Sequence, residues 1–223
     1  IKILAISEDR GTSAVDFITS DPTLVYTGKL PSGFNAATEK VKVEIVNSSN
    51  AVVYSGYATV DGRSWTWDDR ADALAAGNYT IKATVVNATT DAVVSSYGAN
   101  GSTTQALVVE TGLPVFSSAA TSALLEGQPI TTVAYDATAD NDTGVTYTLG
   151  GTDAGLFNIN ASTGEVTFRN TPVYASPDDN GADNVYDVTV TATDTAGNAA
   201  SQNVAITVVQ EPTLNLSVGA ASG

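Results

Sequence analysis

The sequence predicts an all-β protein with two tandem β-sandwich domains. Hydrophobic residues alternate with polar residues along several segments, clusters of turn-forming residues separate those segments, and one segment recurs in the second half of the chain. The length of 223 residues suits two domains better than one, because single domains usually have about 100–150 residues.

Alternation with a period of two is the strongest local signal. Each such segment directs apolar side chains to one face and Thr or charged side chains to the other, which is typical of antiparallel strands. The clearest segments are Val41–Ile45, Tyr79–Val85, Tyr186–Ala192 and Val204–Val208. The only helix-like segment, Asp68–Ala76, is followed by Gly77, and we expect one short turn there.

An internal repeat relates the two halves. Tyr79–Asn87 aligns with Tyr186–Asp194, and each is followed by a polar loop and a last apolar strand. This order is typical of strands F and G of an immunoglobulin-like sandwich, in which Tyr79 and Tyr186 would be corner tyrosines. We therefore predict domains at residues 1–111 and 112–210, with 211–223 starting a linker to a following module.

The composition excludes several classes of site. The chain has no Cys, His or Met, so it lacks the thiolates of zinc and iron–sulfur sites, the His, Cys and Met ligands of haem, and the partners of Ser–His or Cys–His nucleophiles. The acidic residues lie in predicted turns without signs of a deep cleft. We expect no enzymatic activity.

The charge balance is strongly acidic. Against 9 Lys and Arg residues stand 24 Asp and Glu residues, which gives a net charge of −15. Such a surface repels phosphate backbones and anionic lipids, so we expect no nucleic-acid binding. No run of 18 or more apolar residues occurs, and we expect no membrane insertion. Cations are the expected partners.

Several motifs, taken in order, resemble the extender region of type I-secreted (RTX) bacterial adhesins. The first half resembles the bacterial immunoglobulin-like repeats of these proteins, and the second half resembles their cadherin-like domains. The matching segments in the first half are Ile6–Ser13, Asp16–Asp21, Ser64–Asp69 and Leu74–Tyr79. Those in the second half are Leu125–Gly127, Asp140–Asp142, Gly151–Asp153, Leu156–Asn160 with Thr163–Gly164, and Asn184–Val190 with Ala192–Asp194.

This resemblance implies two tandem Greek-key sandwiches that calcium stiffens. The implied function is a spacer of a secreted cell-surface adhesin, which projects terminal binding domains in adhesion and biofilm formation. The protein would be anchored to the bacterial outer membrane through other parts of its chain, and its partners would be neighbouring modules joined through calcium-bridged linkers. The alternative is a module that binds a glycan, a peptide or its own copy as a weak homodimer.

Carboxylates in the loops are the candidate calcium ligands, since Ca²⁺ takes about six to eight oxygen ligands. Sandwich topology predicts that the loops where the first domain ends gather one acidic set: Glu8, Asp9, Asp16, Asp68, Asp69, Asp72 and Glu110. The loops where the second domain begins gather another: Asp136, Asp140, Asp142, Asp194 and Asn198. We predict that these sets face each other and that calcium bridges them. Asp and Asn also form turns, and for Asp153 and Asp187 we keep that interpretation.

The far end of the second domain departs from the family pattern. Cadherin-like domains commonly have an Asp-x-Glu pair where this chain has Val173-Tyr174-Ala175. The calcium site at that end would be weakened, or moved to the acidic residues of the next loop. The candidate ligands there are Glu126, Asp178, Asp179, Asp183 and Glu211.

Trp65 and Trp67 are two residues apart and therefore share one face of a strand. Exposed, they would form a platform for sugar stacking. Buried, they would belong to the core, and we favour this interpretation because large aromatic residues of small sandwiches are mostly inside.

Overall fold

The computed structural model describes residues 1–9, 11, 13–140 and 144–212. Its contacts divide the chain into two compact units. The first comprises Ile1–Leu113 together with Thr193–Asn198, and the second comprises Pro114–Ala192 and the residues from Ala199 onward. Neither helical segment of the described chain has the length and apolar character of a membrane span.

The described residues of the first unit form nine strands in two sheets. They are β1 (Lys2–Ile6), β2 (Ile18–Thr19), β3 (Val25–Lys29), β4 (Glu39–Asn47), β5 (Val52–Tyr57), β6 (Thr59–Asp61), β7 (Ser64–Asp68), β8 (Gly77–Asn87) and β9 (Ser102–Val109). One sheet has the order β1-β3-β7-β6 and the other β2-β9-β8-β4-β5. Short β2 pairs in parallel with the last strand, β9, and this arrangement is an immunoglobulin-like Greek key.

Nine strands are also described in the second unit. They are β10 (Val115–Phe116), β11 (Thr121–Leu125), β12 (Val133–Asp136), β13 (Ala139–Asp140), β14 (Thr146–Gly150), β15 (Phe157–Ile159), β16 (Glu165–Phe168), β17 (Val185–Thr193) and β18 (Ala199–Val209). Their sheet orders are β11-β18-β17-β14, β12-β16-β15 and β10-β13. The all-β prediction is confirmed in both units.

Each unit has its own hydrophobic core. The alternating segments supply it: Val41, Val43 and Ile45 are fully buried on β4. The corner tyrosine of the first unit is confirmed, because the Tyr79 hydroxyl donates to the Ala75 carbonyl at 2.9 Å. In the second unit the Tyr186 hydroxyl accepts a longer hydrogen bond, 3.4 Å, from the Asp178 amide.

The helical content differs slightly from the expectation. A turn without a helix follows β7, as expected, closed by a hydrogen bond from the Asp72 amide to the Asp69 carbonyl. Two short 3₁₀ segments, Ser95–Gly101 and Ala154–Leu156, were not predicted. Runs this short carry almost no periodic signal, so the sequence pattern does not reveal them.

Both tryptophans are core residues. Trp65 is fully buried and Trp67 is 7% exposed, which confirms the core interpretation and excludes the sugar-stacking platform. Trp67 stacks on Tyr26 with ring centroids 5.2 Å apart. The Trp67 ring packs against a glycine of the other sheet: a Cβ at Gly56 on β5 would stand 2.4 Å from Trp67 Nε1.

We expect Gly56→Ala to destabilise the first unit by about 1–3 kcal/mol, because the added methyl overpacks a buried ring. Thermal and denaturant unfolding measure the loss. Gly155→Ala is the matched control, since a Cβ there meets no atom within 4 Å, and it should be neutral or slightly stabilising. Equal effects of the two substitutions would contradict the packing argument.

Candidate acidic site

The loop between β1 and β2 brings two predicted ligands together. The Asp9 carboxylate accepts a hydrogen bond from the Phe17 amide at 3.3 Å, and Asp16 accepts one from the Ile18 amide at 3.1 Å. The second Asp9 oxygen, Oδ1, is buried without a hydrogen-bond partner. Burial raises the pKa of Asp9, and Asp16 raises it further, against the opposing effect of the Phe17 amide.

The backbone of this loop is held in place by strand β2 and its neighbours. The Thr19 hydroxyl donates to the Glu8 carbonyl at 2.7 Å, and the Glu110 amide donates to the Thr19 carbonyl at 2.9 Å. Glu8 and Phe17 have positive φ values of 54° and 63°, which few residues other than glycine adopt. The fold thus supports an unusual backbone around Asp9 and Asp16.

The loop after β7 contains a second acidic group. Asp69 is only 6% exposed, and its Oδ2 atom is buried without a hydrogen-bond partner. Burial, with Asp72 and Asp68 nearby, raises the pKa of Asp69 to about 6. Asp68 has the opposite environment, because the Arg70 guanidinium, 2.6 Å away, lowers its pKa to about 2. Arg70 therefore compensates Asp68, whereas the buried Asp69 oxygen lacks such a donor.

Asp194 and Asn198 form a closed loop that groups with the first unit. Both Asp194 oxygens accept hydrogen bonds from Asn198, at 2.8 Å from its amide and 2.9 Å from its side-chain nitrogen. The Asn198 side chain also donates to the Glu110 carbonyl at 2.9 Å. Asp194 is 2% exposed, so these bonds provide the compensation that a buried carboxylate requires.

Most of the predicted calcium ligands of the second unit accept hydrogen bonds from backbone amides of their own loops. Asp179 accepts the amides of Asp183 and Asn184, each at 3.1 Å, and Asp183 accepts the Val185 amide at 3.0 Å. Glu126 accepts the amides of Tyr174 and Glu211 at 3.1 and 3.2 Å. Asp178 and Asp140 are exposed, and Asp142 lies outside the described residues.

Two residues without a metal prediction stand out in the second unit. Asp153 accepts the Asn180 and Asp187 amides at 2.9 and 2.7 Å, as the turn interpretation expects. Asn184 has a positive φ of 65°, and its Oδ1 atom is buried without a hydrogen-bond partner. Asn184 lay within a motif of the resemblance, but the sequence pattern carries no sign of its buried oxygen.

The predicted ligands thus come together in two small local groups. Asp9 lies with Asp16, and Asp69 with Asp68 and Asp72. Among the described residues, no group of three or more His, Cys, Asp or Glu side chains could hold a metal ion. The donors are all oxygens, and Asp9 Oδ1 and Asp69 Oδ2 are buried without hydrogen-bond partners. Such donors suit a hard cation such as Ca²⁺.

No family model matches the chain, and no curated protein matches it. Similar solved structures are extracellular cadherin repeats. Human protocadherin-24 EC1-2 is 16% identical over 88% of this chain and 92% of its own, with a TM-score of 0.39. Mouse cadherin-23 EC22-24 is 16% identical over 77% of this chain, with a TM-score of 0.37, and the match spans 53% of the mouse structure.

A third similar structure is not a cadherin. CopC from Methylosinus trichosporium OB3b is 19% identical over 48% of this chain and 91% of its own, with a TM-score of 0.31. These scores describe a loose likeness among β-sandwiches, from which no ligand follows for this chain.

Proposed function

We propose that this chain is a calcium-stiffened spacer of a bacterial cell-surface adhesin. The observation that carries the calcium part is the pair of buried carboxylate oxygens without hydrogen-bond partners, Asp9 Oδ1 and Asp69 Oδ2. A buried, uncompensated carboxylate is unfavourable, and a bound cation removes that cost. The adhesin context rests on the sequence motifs alone.

Asp9 and Asp16 would bind calcium in the loop between β1 and β2, and Asp69 and Asp72 would bind it separately in the loop after β7. Carbonyl oxygens and waters would supply the remaining ligands. The cation would neutralise like charges that now raise the pKa values of Asp9 and Asp69. It would also stiffen the chain near Glu110, whose amide is bonded to Thr19 at the end of the same loop. A spacer needs this stiffness and no catalytic group.

We expect calcium to raise the melting temperature of the chain relative to chelator, because it binds the folded state only. At a calcium concentration one hundred times Kd the gain is about 2.7 kcal/mol, and extracellular sites have Kd values on the order of 10⁻⁴–10⁻³ M. Calorimetry in calcium and in chelator measures the shift. Small-angle scattering under the same conditions should give a longer maximum dimension with calcium.

The double substitution Asp9→Asn with Asp16→Asn should remove the part of the calcium-dependent shift that comes from the loop between β1 and β2. Asp61→Asn is the matched control, because Asp61 is exposed on β6 and outside the loop of Asp9 and Asp16, and it should leave the shift intact. A melting temperature independent of calcium would sink the metal proposal. Pairing of two copies stays the alternative prediction, and sedimentation at high concentration with and without calcium distinguishes it from a monomeric spacer.

A further inference from the structure

The positive charges of this acidic chain are unevenly compensated. Of the eight Lys and Arg residues that the structure describes, four make ion pairs with acids: Lys40, Lys42, Arg70 and Lys82. Arg169 donates to the Phe157 carbonyl at 2.8 Å, and Arg10 lies outside the described residues. The remaining three, Lys2, Lys29 and Arg63, make no ion pair with any described acid, and all three line one pocket of the first unit.

This cationic pocket has a volume of about 560 Å³, within the range of small-molecule sites. Its lining combines three chemistries. Lys2, Lys29 and Arg63 supply positive charge, Ile1, Leu30, Pro31 and Tyr97 supply apolar surface, and Ser32, Ser96 and Asn100 supply polar groups. The mixture suits an organic anion with hydroxyl groups better than a bare inorganic anion.

Strand register places two of these cations side by side. Lys2 on β1 is the direct partner of Lys29 on β3, so both side chains leave the same face of the sheet. Like charges directly opposite each other destabilise a pair of strands. Among the described residues, no carboxylate forms an ion pair with either lysine. The Glu39 carboxylate accepts the Tyr97 hydroxyl at 2.7 Å and the Asn35 amide at 2.9 Å, and Asp61, two residues before Arg63, makes no ion pair with Arg63.

The Tyr97 side chain has a fixed role in this arrangement. Its hydroxyl is engaged by Glu39, and burial together with that carboxylate raises the pKa of Tyr97 to about 12. The Tyr97 hydroxyl is therefore already hydrogen-bonded, and a ligand would contact the aromatic ring of Tyr97. A flat apolar surface beside cations and polar groups is what a sugar acid requires, because its ring has an apolar face and its edge carries hydroxyls and a carboxylate.

We propose that the cationic pocket binds a sugar acid of the hexuronate class. Arg63, Lys2 and Lys29 bind the carboxylate, Ser32 and Ser96 bind hydroxyls, and Tyr97 with Pro31 contacts the apolar face. The bound carboxylate relieves the repulsion between Lys2 and Lys29. This site uses none of the acidic loops and does not depend on calcium. The net charge of −15 opposes the approach of an anion, so binding depends strongly on the three local cations. Adding or removing calcium should leave the affinity unchanged.

The test is a ¹⁵N NMR titration of the full chain with sodium glucuronate, in low salt and chelator. We expect saturable shifts at the amides of residues 29–32, 63 and 96–97. Arg63→Gln and Lys29→Gln should each weaken binding about tenfold or more, because each removes a charge-assisted contact. Arg70→Gln is the matched control, since Arg70 pairs with Asp68 outside the pocket, and it should bind as the parent does.

Glucose, which lacks the carboxylate, should give no saturable shift. Glucuronate that leaves these amides unmoved would overturn the proposal, as would equal binding of glucose. Inorganic phosphate that binds as tightly as glucuronate would show a general anion patch and would equally overturn it. Arg63 lies in an exposed turn and its backbone carbonyl, not its side chain, accepts the Leu30 amide, so the variant should fold. A calcium effect on melting without glucuronate binding would leave the spacer proposal standing.

Discussion

Trp65→Ala should destabilise the first unit by about 3–5 kcal/mol, the range for removing a large aromatic residue from a core. Trp65 is fully buried on β7, and its Nε1 atom donates to the Lys2 carbonyl at 3.2 Å. Domains are stable by only about 5–15 kcal/mol, so this loss is a large part of the total. Calorimetry should show the melting transition of the first unit lowered by roughly 15 °C or more.

Trp65→Phe separates the contribution of the buried ring surface from that of the hydrogen bond to Lys2. It removes the hydrogen bond to Lys2 and part of the ring but retains most of the buried surface, so the loss should be clearly smaller than for alanine. The transition of the second unit should be unchanged in both variants, because that unit has a separate core. Equal and small losses for alanine and phenylalanine would show that Trp65 is not a central core residue.

Asp69→Asn should stabilise the first unit at pH 7 in chelator by roughly 1–3 kcal/mol. Its folded-state pKa is about 6, above the ordinary value of 3.8, so between these values the folded state binds more protons than the unfolded state. Stability therefore falls as the pH rises from about 4 through 6, and it stays lower above that range. Asparagine removes the ionisation, so the gain should be present at pH 7 and disappear near pH 4.

Asp68→Asn is the control. Asp68 is the preceding residue, and its pKa is shifted in the opposite direction. Arg70 lowers the pKa of Asp68 to about 2, so its contribution is present above about pH 4 and is lost as the pH falls through 2. Asp68 is exposed, and its replacement should give no stabilisation at pH 7. Denaturant unfolding of both variants and the parent from pH 4 to 8 measures the difference. A loss of stability on Asp69→Asn in chelator would contradict the description of its environment.

Calcium should make the ionised aspartate at position 69 more favourable than asparagine. A cation stabilises the ionised carboxylate, so Asp69→Asn should gain stability in chelator but reduce the calcium-dependent increase. This coupling links the pH argument to the proposed function, because protons and calcium compete for the same buried oxygen.

The long strands could be predicted from local pattern. Val41–Ile45 lies in β4, Tyr79–Val85 in β8, Tyr186–Ala192 in β17 and Val204–Val208 in β18. A strand with one buried face must alternate, so its signal is contained in neighbouring residues. The corner tyrosine was predictable for the same reason, since Tyr79 bonds to Ala75, only four residues earlier.

The candidate site was only partly predictable. Loop carboxylates can be recognised in the sequence, and the pairing of Asp9 with Asp16 follows from one short loop. Their different environments cannot be read from residue type: adjacent Asp68 and Asp69 have pKa values shifted in opposite directions, because one meets Arg70 and the other is buried. Desolvation depends on the neighbours that packing supplies.

Alternation, turn residues and composition alone therefore established an all-β chain without thiolate or imidazole chemistry. Packing decided which carboxylate oxygens lost their hydrogen-bond partners, and strand register placed Lys2 opposite Lys29 across 27 positions of sequence, with Arg63 at the same pocket. Backbone preference acts between neighbours in sequence, whereas burial and charge act between neighbours in space. Only the folded chain determines which residues are neighbours in space.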